Sequence, residues 1–233
     1  MTRTLFLLGL GLAATLPAES ATLIARFNGV INPMNIQRDV GDGGGWITTS
    51  VGLFGFTRLG GTYLGDPVGD FVGFCIEPRE FVTPGVTYTY TTEDLQYGAT
   101  NIGGMGPVRA DLLRELYARY FPQFIASIPA NTARALQIAT WEIVRETTGV
   151  LDVSSGTTRF RNPADPAALT LAQTMLSSLT GTGPRLDDVY ALNRVGAQDI
   201  VFQGTPEPGT LLLTGAALLL VGRFGMRPPG AAV

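Results

Sequence analysis

Val108–Phe121 reads VRADLLRELYARYF. Val108, Leu112, Leu116 and Tyr120 recur at steps of four, with Leu113, Tyr117 and Phe121 alongside. That is an apolar stripe of helical period, and it predicts an amphipathic helix about three turns long. Upstream the period is two. Thr22–Val30 alternates through Leu23, Ala25 and Phe27, and Trp46–Leu59 carries Val51, Leu53, Phe54 and Phe56. Asp70–Ile76 (DFVGFCI) is a short apolar run, and Val82–Thr91 spaces Val86, Tyr88 and Tyr90 by two. Four strands are therefore expected first. Asn32–Gly45, with Asp42 and Gly43-Gly44-Gly45, predicts a loop, and Gly60–Gly69 a turn.

Downstream, Asn131 is expected to N-cap a second helix running to about Thr147, with Gly149 just past its end. Asp165-Pro166 caps a third, reaching about Leu179 before Gly181. Val189–Leu192 and Asp199–Phe202 then read as closing strands. No internal repeat is visible. The pattern predicts an α+β fold: a β-sandwich or barrel-like sheet with an inserted helical block of about three helices. Apolar targeting segments stand at both ends of the chain.

Composition narrows the chemistry. Lys plus Arg number 16 and Asp plus Glu 19, giving a net charge of −3 with no basic cluster, which argues against a nucleic-acid partner. Charged residues make up only 15% of the 233, against 30 Gly and 15 Pro, a mix that suits a loop- and strand-rich extracellular module. There is no histidine, and cysteine occurs once, at Cys75. Cys–His and Ser–His catalytic pairs are thus excluded, as is the usual His/Cys zinc site. No D-x-D-x-D-G calcium loop or G-x-x-x-x-G-K-S/T phosphate cradle appears. No enzyme activity, metal or cofactor is expected. Asp187-Asp188 and Asp39/Asp42 read as solvated loop carboxylates, and Tyr88, Tyr90 and Tyr97 as either packing residues or a sugar-stacking face.

The ends carry addresses. Arg3, the apolar Leu5–Leu16 and the small residues of Pro17-Ala18-Glu19-Ser20-Ala21 have the layout of a secretory signal, with cleavage expected between Ala18 and Ala21. At the other end Thr205-Pro206-Glu207-Pro208-Gly209-Thr210 precedes Leu211–Val221, with Arg223 and Arg227 beyond. That run is well below the ~20 residues that cross a bilayer comfortably, and its arginines orient it with the domain outside. Pro206-Glu207-Pro208, the apolar stretch and the basic tip resemble the PEP-CTERM sorting tail. The resemblance implies an exosortase-type membrane protease that recognises and removes it. The departures are Thr205, where Val is usual, and arginines that are spread rather than adjacent. A plain C-terminal membrane anchor gives the same topology. The expected division is 1–21 leader, 22–203 domain and 204–233 tail.

Two interior segments stand out. Cys75 sits in Gly73-Phe74-Cys75-Ile76-Glu77 at the end of an apolar strand, and Gln137 in Ala135-Leu136-Gln137-Ile138-Ala139-Thr140-Trp141 on the second helix. Gln137 and Trp141 are i and i+4, so a large ring shares the carboxamide's helical face. A buried Gln is costly unless its amide is paired or consumed. An unpaired thiol in an oxidising compartment invites mispairing, and no internal disulfide is available to it. The plain alternative is a small buried hydrophobe at Cys75, with Gln137 an ordinary helix residue and Trp141 core.

These segments resemble the thioester domains of bacterial surface adhesins, in which an aromatic-Cys-aliphatic-acidic element (here Phe74, Cys75, Ile76, Glu77) pairs with an apolar-Gln-x-Ala-x-Trp element (Leu136, Gln137, Ala139, Trp141). More loosely, the likeness extends over residues 22–203, including Gln198-Asp199-Ile200. Leu136 stands where some members have Thr. The resemblance implies that the Gln137 carbonyl acylates Cys75 Sγ with loss of ammonia, shielded from water by Phe74, Trp141 and Ala139. An amine-bearing surface or matrix molecule would then be the covalent partner. The competing expectation is a non-covalent protein of the extracellular matrix or exopolysaccharide, for which the same fold is only structural.

Overall fold

β1 (Ala21–Asp39) is the spine of the fold, long enough to pair with three different strands. Its first half pairs antiparallel with β4 (Thr87–Asp94), almost its whole length with β2 (Ile47–Gly60), and its last residues with β5 (Arg159–Arg161). β2 continues to β3 (Gly69–Cys75), β3 to β7 (Ile200–Gln203), β7 to β6 (Val189–Asn193), and β6 back to β4. Six antiparallel strands thus close into a barrel, and β5 extends one rim. A computed structural model describes residues 21–63, 68–121 and 128–204, and the structure is discussed for these. All of the expected leader but Ala21, and all of the expected tail but Gly204, including Pro206-Glu207-Pro208, lie outside the described residues. Among the described residues no helix is long and apolar enough to cross a membrane.

One face of the sheet is bound by aromatic pairs directly across strands. Phe27 lies opposite Phe56, and Phe56 opposite Phe71, with ring centroids 5.2 Å apart in each pair. Phe71 continues to Phe202, and Phe56 meets Tyr90 edge-on. Such pairs fix register because a slip of one residue sends every ring to the other face. The opposite face of β3 carries Phe74, which meets Tyr117 and Phe121 edge-on.

Those two residues come from α1 (Gly106–Tyr120) and the residue that ends it. α2 (Ala130–Arg145) and α3 (Ala167–Ser177) complete the helical block. α2 is buried almost all round from Ala133 to Val144, between the other helices and the sheet, so it is the helix most tightly tied to the barrel. The α+β architecture with helices inserted between β4 and β6 is as expected.

Several details differ from the sequence reading. The expected loop over 32–45 is mostly strand, since β1 runs on to Asp39 through register shifts near Phe27 and Ile31. Those shifts break the simple alternation by which a strand is read. β5 escaped notice at three residues. Asn131 is not a cap: the helix begins at Ala130 after Pro129, and the Asn131 side chain accepts from Arg134 Nη1 at 2.9 Å. Asp39 is buried and ion-paired with Arg159 at 2.6 Å rather than solvated, and Asp42 pairs with Arg79. The three tyrosines do not make a stacking face, because Tyr90 is fully buried, Tyr88 nearly so, and only Tyr97 is exposed.

Candidate functional site: the Cys75–Gln137 junction

The position of Cys75 follows from where strand pairing stops. β2 pairs with β3 only as far as Phe54 and Gly73, whereas β7 pairs on to Cys75 through Ile200. Gly73 permits that close approach: a Cβ there would lie 2.5 Å from the Val201 carbonyl oxygen. Ile76 N–H donates to the Asp199 carbonyl at 2.9 Å, and so faces β7. In an antiparallel ladder successive residues turn their backbone groups to opposite edges. The N–H and C=O of Cys75 therefore point away from β7, towards the edge that β2 has already left.

Gln137 fills that gap. Its Oε1 accepts from Cys75 N–H at 3.0 Å, and its Nε2 donates to the Cys75 carbonyl at 2.8 Å. The side-chain amide stands in for the missing strand backbone. Both residues are at 0% exposure, so these backbone groups would otherwise be orphaned, at about 1–3 kcal/mol each. The two segments singled out in the sequence, 62 positions apart, are thus joined.

Around the sulfur the setting is apolar but not neutral. Burial pushes the Cys75 thiol up to about 12; the Trp141 indole N–H and the Glu77 backbone N–H act against that, and the nearby Glu77 charge reinforces it. Trp141 Nε1 makes no hydrogen bond of proper geometry, so its influence on the sulfur is one of proximity. The indole ring stacks on Phe160 (6.3 Å, 12° between planes), and the Arg38 guanidinium lies 5.7 Å from its centroid. Arg38 also donates through Nη2 to the Pro78 carbonyl, in the turn just after Cys75.

The remaining sequence candidates take different places. Strand alternation turns Phe74 to the face opposite the Cys75 side chain, against α1. Ala139 is buried, but two residues beyond Gln137 it lies ~200° round the helix. Glu77 is fully buried and couples three segments. Its carboxyl accepts from Asn101 N–H at 2.7 Å, Asp199 N–H at 3.1 Å and Thr100 Oγ1 at 3.3 Å. Asp199, also buried, accepts from Thr100 N–H at 2.8 Å and Arg194 N–H at 2.7 Å. Burial raises both carboxyls, which hold protons more tightly side by side than either would in water. This pair fastens the ends of β3 and β7 next to Cys75.

Arg38 and Phe160 were not among the sequence candidates. Arg38 fell in the stretch read as loop. The usable signal was Ile36, Arg38 and Val40 at period two, which places a cation on an inward-facing strand position. Among the described residues no group of three or more His, Cys, Asp or Glu gathers as a metal site. A groove of about 610 Å³ opens between the helices, lined by Val108, Leu112, Ile143, Leu151 and Leu176 among others; neither Cys75 nor Gln137 lines it. Comparison with protein-family models, with curated proteins and with solved structures finds no match to this chain.

The Cys75 backbone and the Gln137 carboxamide are thus held side by side. On the expected thioester chemistry, Cys75 Sγ would be the nucleophile and the Gln137 carboxamide carbon the electrophile. Negative charge developing on Oε1 would meet the Cys75 N–H already placed 3.0 Å away. Well-oriented groups can reach effective molarities of ~10⁵ M or more, which is what an otherwise inert amide requires.

Proposed function

We propose that this is an exported surface protein whose domain, residues 22–203, condenses Cys75 with Gln137 into an internal thioester for covalent attachment to amine-bearing partners. The observation that carries the reading is the reciprocal pair of hydrogen bonds between the Gln137 carboxamide and the Cys75 backbone, in a site closed to solvent. It holds the only cysteine of the chain beside the carboxamide that would acylate it, and a closed site would keep water from the product. A partner amine would attack the Gln137 carbonyl carbon, forming an amide and releasing the Cys75 thiol. Residues 1–21 would direct export. Residues 204–233 would hold the chain at the membrane until an exosortase-type protease removes them. The protein then acts in adhesion at the cell surface, not as an enzyme.

The test is capture of a fluorescent primary amine by the purified chain. Label mapped to Gln137 and abolished by Cys75→Ala supports the reading; no label, or label that survives Cys75→Ala, refutes it.

A second reading has an observation of its own. Gln137 already has both amide partners on Cys75, so the junction serves equally as a non-covalent strand cap. The protein would then be a structural or binding component of the extracellular matrix or exopolysaccharide. Partner binding unchanged by Cys75→Ala favours it.

A further inference from the structure

β5 sends its three side chains to alternate faces. Phe160 is buried and stacks on Trp141 beside the junction. Arg159 and Arg161 face outward and lie over the Trp46 ring, 5.5 Å and 4.1 Å from its centroid. Register sets this up: Arg161 pairs with Gln37 and Arg159 with Asp39 on β1, while Ile47, next to Trp46, pairs with Arg38 between them. Trp46 and Ile47 are 36% and 42% exposed. An aromatic ring, an aliphatic side chain and two guanidinium groups thus share one open rim of the barrel.

The two arginines are not equivalent. Arg159 is answered by Asp39, Nη2 to Oδ2 at 2.6 Å, and the nearby Asp42 by Arg79. Arg161 has no carboxylate within ion-pairing distance among the described residues. Its Nε donates to Gln37 Oε1 at 2.6 Å and its guanidinium rests on the Trp46 ring, which leaves both terminal amino groups without a hydrogen-bond partner among the described residues. Arg161 is therefore a cation held in place but uncompensated, on a chain whose net charge is −3. A side chain already fixed gives up little freedom on binding, and a free guanidinium fork matches a carboxylate through two parallel hydrogen bonds.

We propose that Trp46, Arg159 and Arg161 form a recognition surface for an acidic polysaccharide, with the Arg161 fork taking the carboxylate of a uronic-acid residue and the exposed part of Trp46, with Ile47, receiving the apolar face of the sugar ring. A uronate carries its carboxylate directly on a ring with a flat C–H face, so a single sugar meets both features at once. An acidic peptide supplies the carboxylate without a rigid apolar face beside it, and a membrane headgroup supplies an anion without that face. Arg159, neutralised by Asp39, packs against the indole and sets the platform rather than reading charge. The surface does not depend on bond formation between Cys75 and Gln137. It lies on the strand whose Phe160 stacks on Trp141, so a bound polymer is held against the outer wall of that junction.

The experiment is calorimetric titration of the purified chain with oligogalacturonate. Saturable binding is expected, weakening as salt rises and lost when the polymer's carboxylates are methyl-esterified. Arg161→Gln is expected to weaken binding about tenfold or more, the size of a charge-assisted hydrogen bond lost. Arg161→Lys, which keeps the charge but not the fork, should recover only part of it. Trp46→Ala is expected to weaken binding about threefold or more. Cys75→Ala should leave it unchanged, so the thioester reading and this one fail separately.

No binding, binding that survives Arg161→Gln and Trp46→Ala, or equal binding of the methyl ester overturns the inference. So does polyglutamate, or vesicles rich in phosphatidylserine, bound as tightly as oligogalacturonate, since the surface then reads an anion without its sugar ring. Binding lost in Cys75→Ala moves the site to the junction and overturns it as well. Urea unfolding of each variant checks that it folds. Should Arg161→Gln fail that check, Arg161→Lys and Trp46→Ala decide, and wild-type affinity in both overturns the inference.

Discussion

Replacing Cys75 by alanine separates a cross-linked junction from a hydrogen-bonded one by magnitude. Condensation with Gln137 would tie together positions separated by 62 residues. Closing a loop of that length in the unfolded chain stabilises the fold by about 4 kcal/mol on the chain-entropy relation used for disulfides. Removing a buried Sγ costs about 1 kcal/mol more in lost burial. Against this, the variant regains an intact Gln137 amide whose Nε2 donates to the residue-75 carbonyl, returning about 1 kcal/mol. The net expected loss is ~4 kcal/mol if the bond exists, and only ~1 kcal/mol if Cys75 is a free thiol. With a urea slope of ~2 kcal/mol per molar, the midpoint falls by about 2 M in the first case and about 0.5 M in the second. The assay is first-pass urea unfolding at mildly acidic pH, followed by tryptophan fluorescence, so that hydrolysis does not cut the cross-link during the scan. Wild type opened beforehand with methylamine should unfold within ~1 kcal/mol of Cys75→Ala. A loss of ~1 kcal/mol or less on Cys75→Ala, with wild type insensitive to methylamine, would refute the reasoning.

Further outcomes follow from the same contacts. In the Cys75→Ala background, Gln137→Leu orphans two buried backbone groups and should cost ~3 kcal/mol, partly offset by the added apolar burial; a change under ~0.5 kcal/mol in urea unfolding would show that the clasp at β3 is dispensable. Trp141→Ala empties the space between Phe160, Arg38 and the sulfur. A loss of ~3–5 kcal/mol is expected, together with faster hydrolysis of the thioester in a mass time course. The pH profile has a definite sign on each side. In the folded protein burial lets Glu77 keep its proton up to about 7 and Glu142 up to about 8, against an ordinary value of 4.5. The folded state therefore holds more protons across that window, and stability declines as pH rises from about 4.5 towards 8. Burial also acts on Glu115 and Glu146, but is outweighed by donors: the N–H groups of Thr180 and Gly181 with Arg119 for the first, and those of Thr158, Thr148 and Thr147 for the second. Both are held at about 2, so their stabilisation is lost as pH falls from about 4.5 towards 2. Thermal unfolding against pH should peak near pH 5, and Glu77→Gln should flatten the decline above it.

Much of the fold was legible because its signals are local. The Val108–Phe121 stripe marks α1 within two residues of its observed start, and the alternation of Tyr88 and Tyr90 marks β4. What was lost depends on pairing between distant segments. The second half of β1 exists because β2 and β5 bond to it, and its register shifts erase the period that would reveal it from sequence. Tyr88 and Tyr90 looked available for a ligand until the barrel closed over them. At the site, the lone Cys75 and the i, i+4 pair Gln137 and Trp141 could be read from residue type and spacing, but only the family resemblance coupled the two segments. The reason Gln137 fits there could not, since it rests on β2 leaving β3 at Gly73 while β7 continues to Cys75. Arg38 was hidden for the same reason as β1, and Glu77 with Asp199 became a pair only when β3 and β7 were set side by side.

The most direct test of the central claim is the intact mass of the purified protein before and after methylamine. The account predicts a mass short of the sequence by one ammonia, rising by one methylamine on exposure, with the added group on Gln137 and a newly alkylatable Cys75. A mass equal to that of the plain sequence, unchanged by methylamine, with Cys75 alkylated after unfolding without any prior amine treatment, would contradict it.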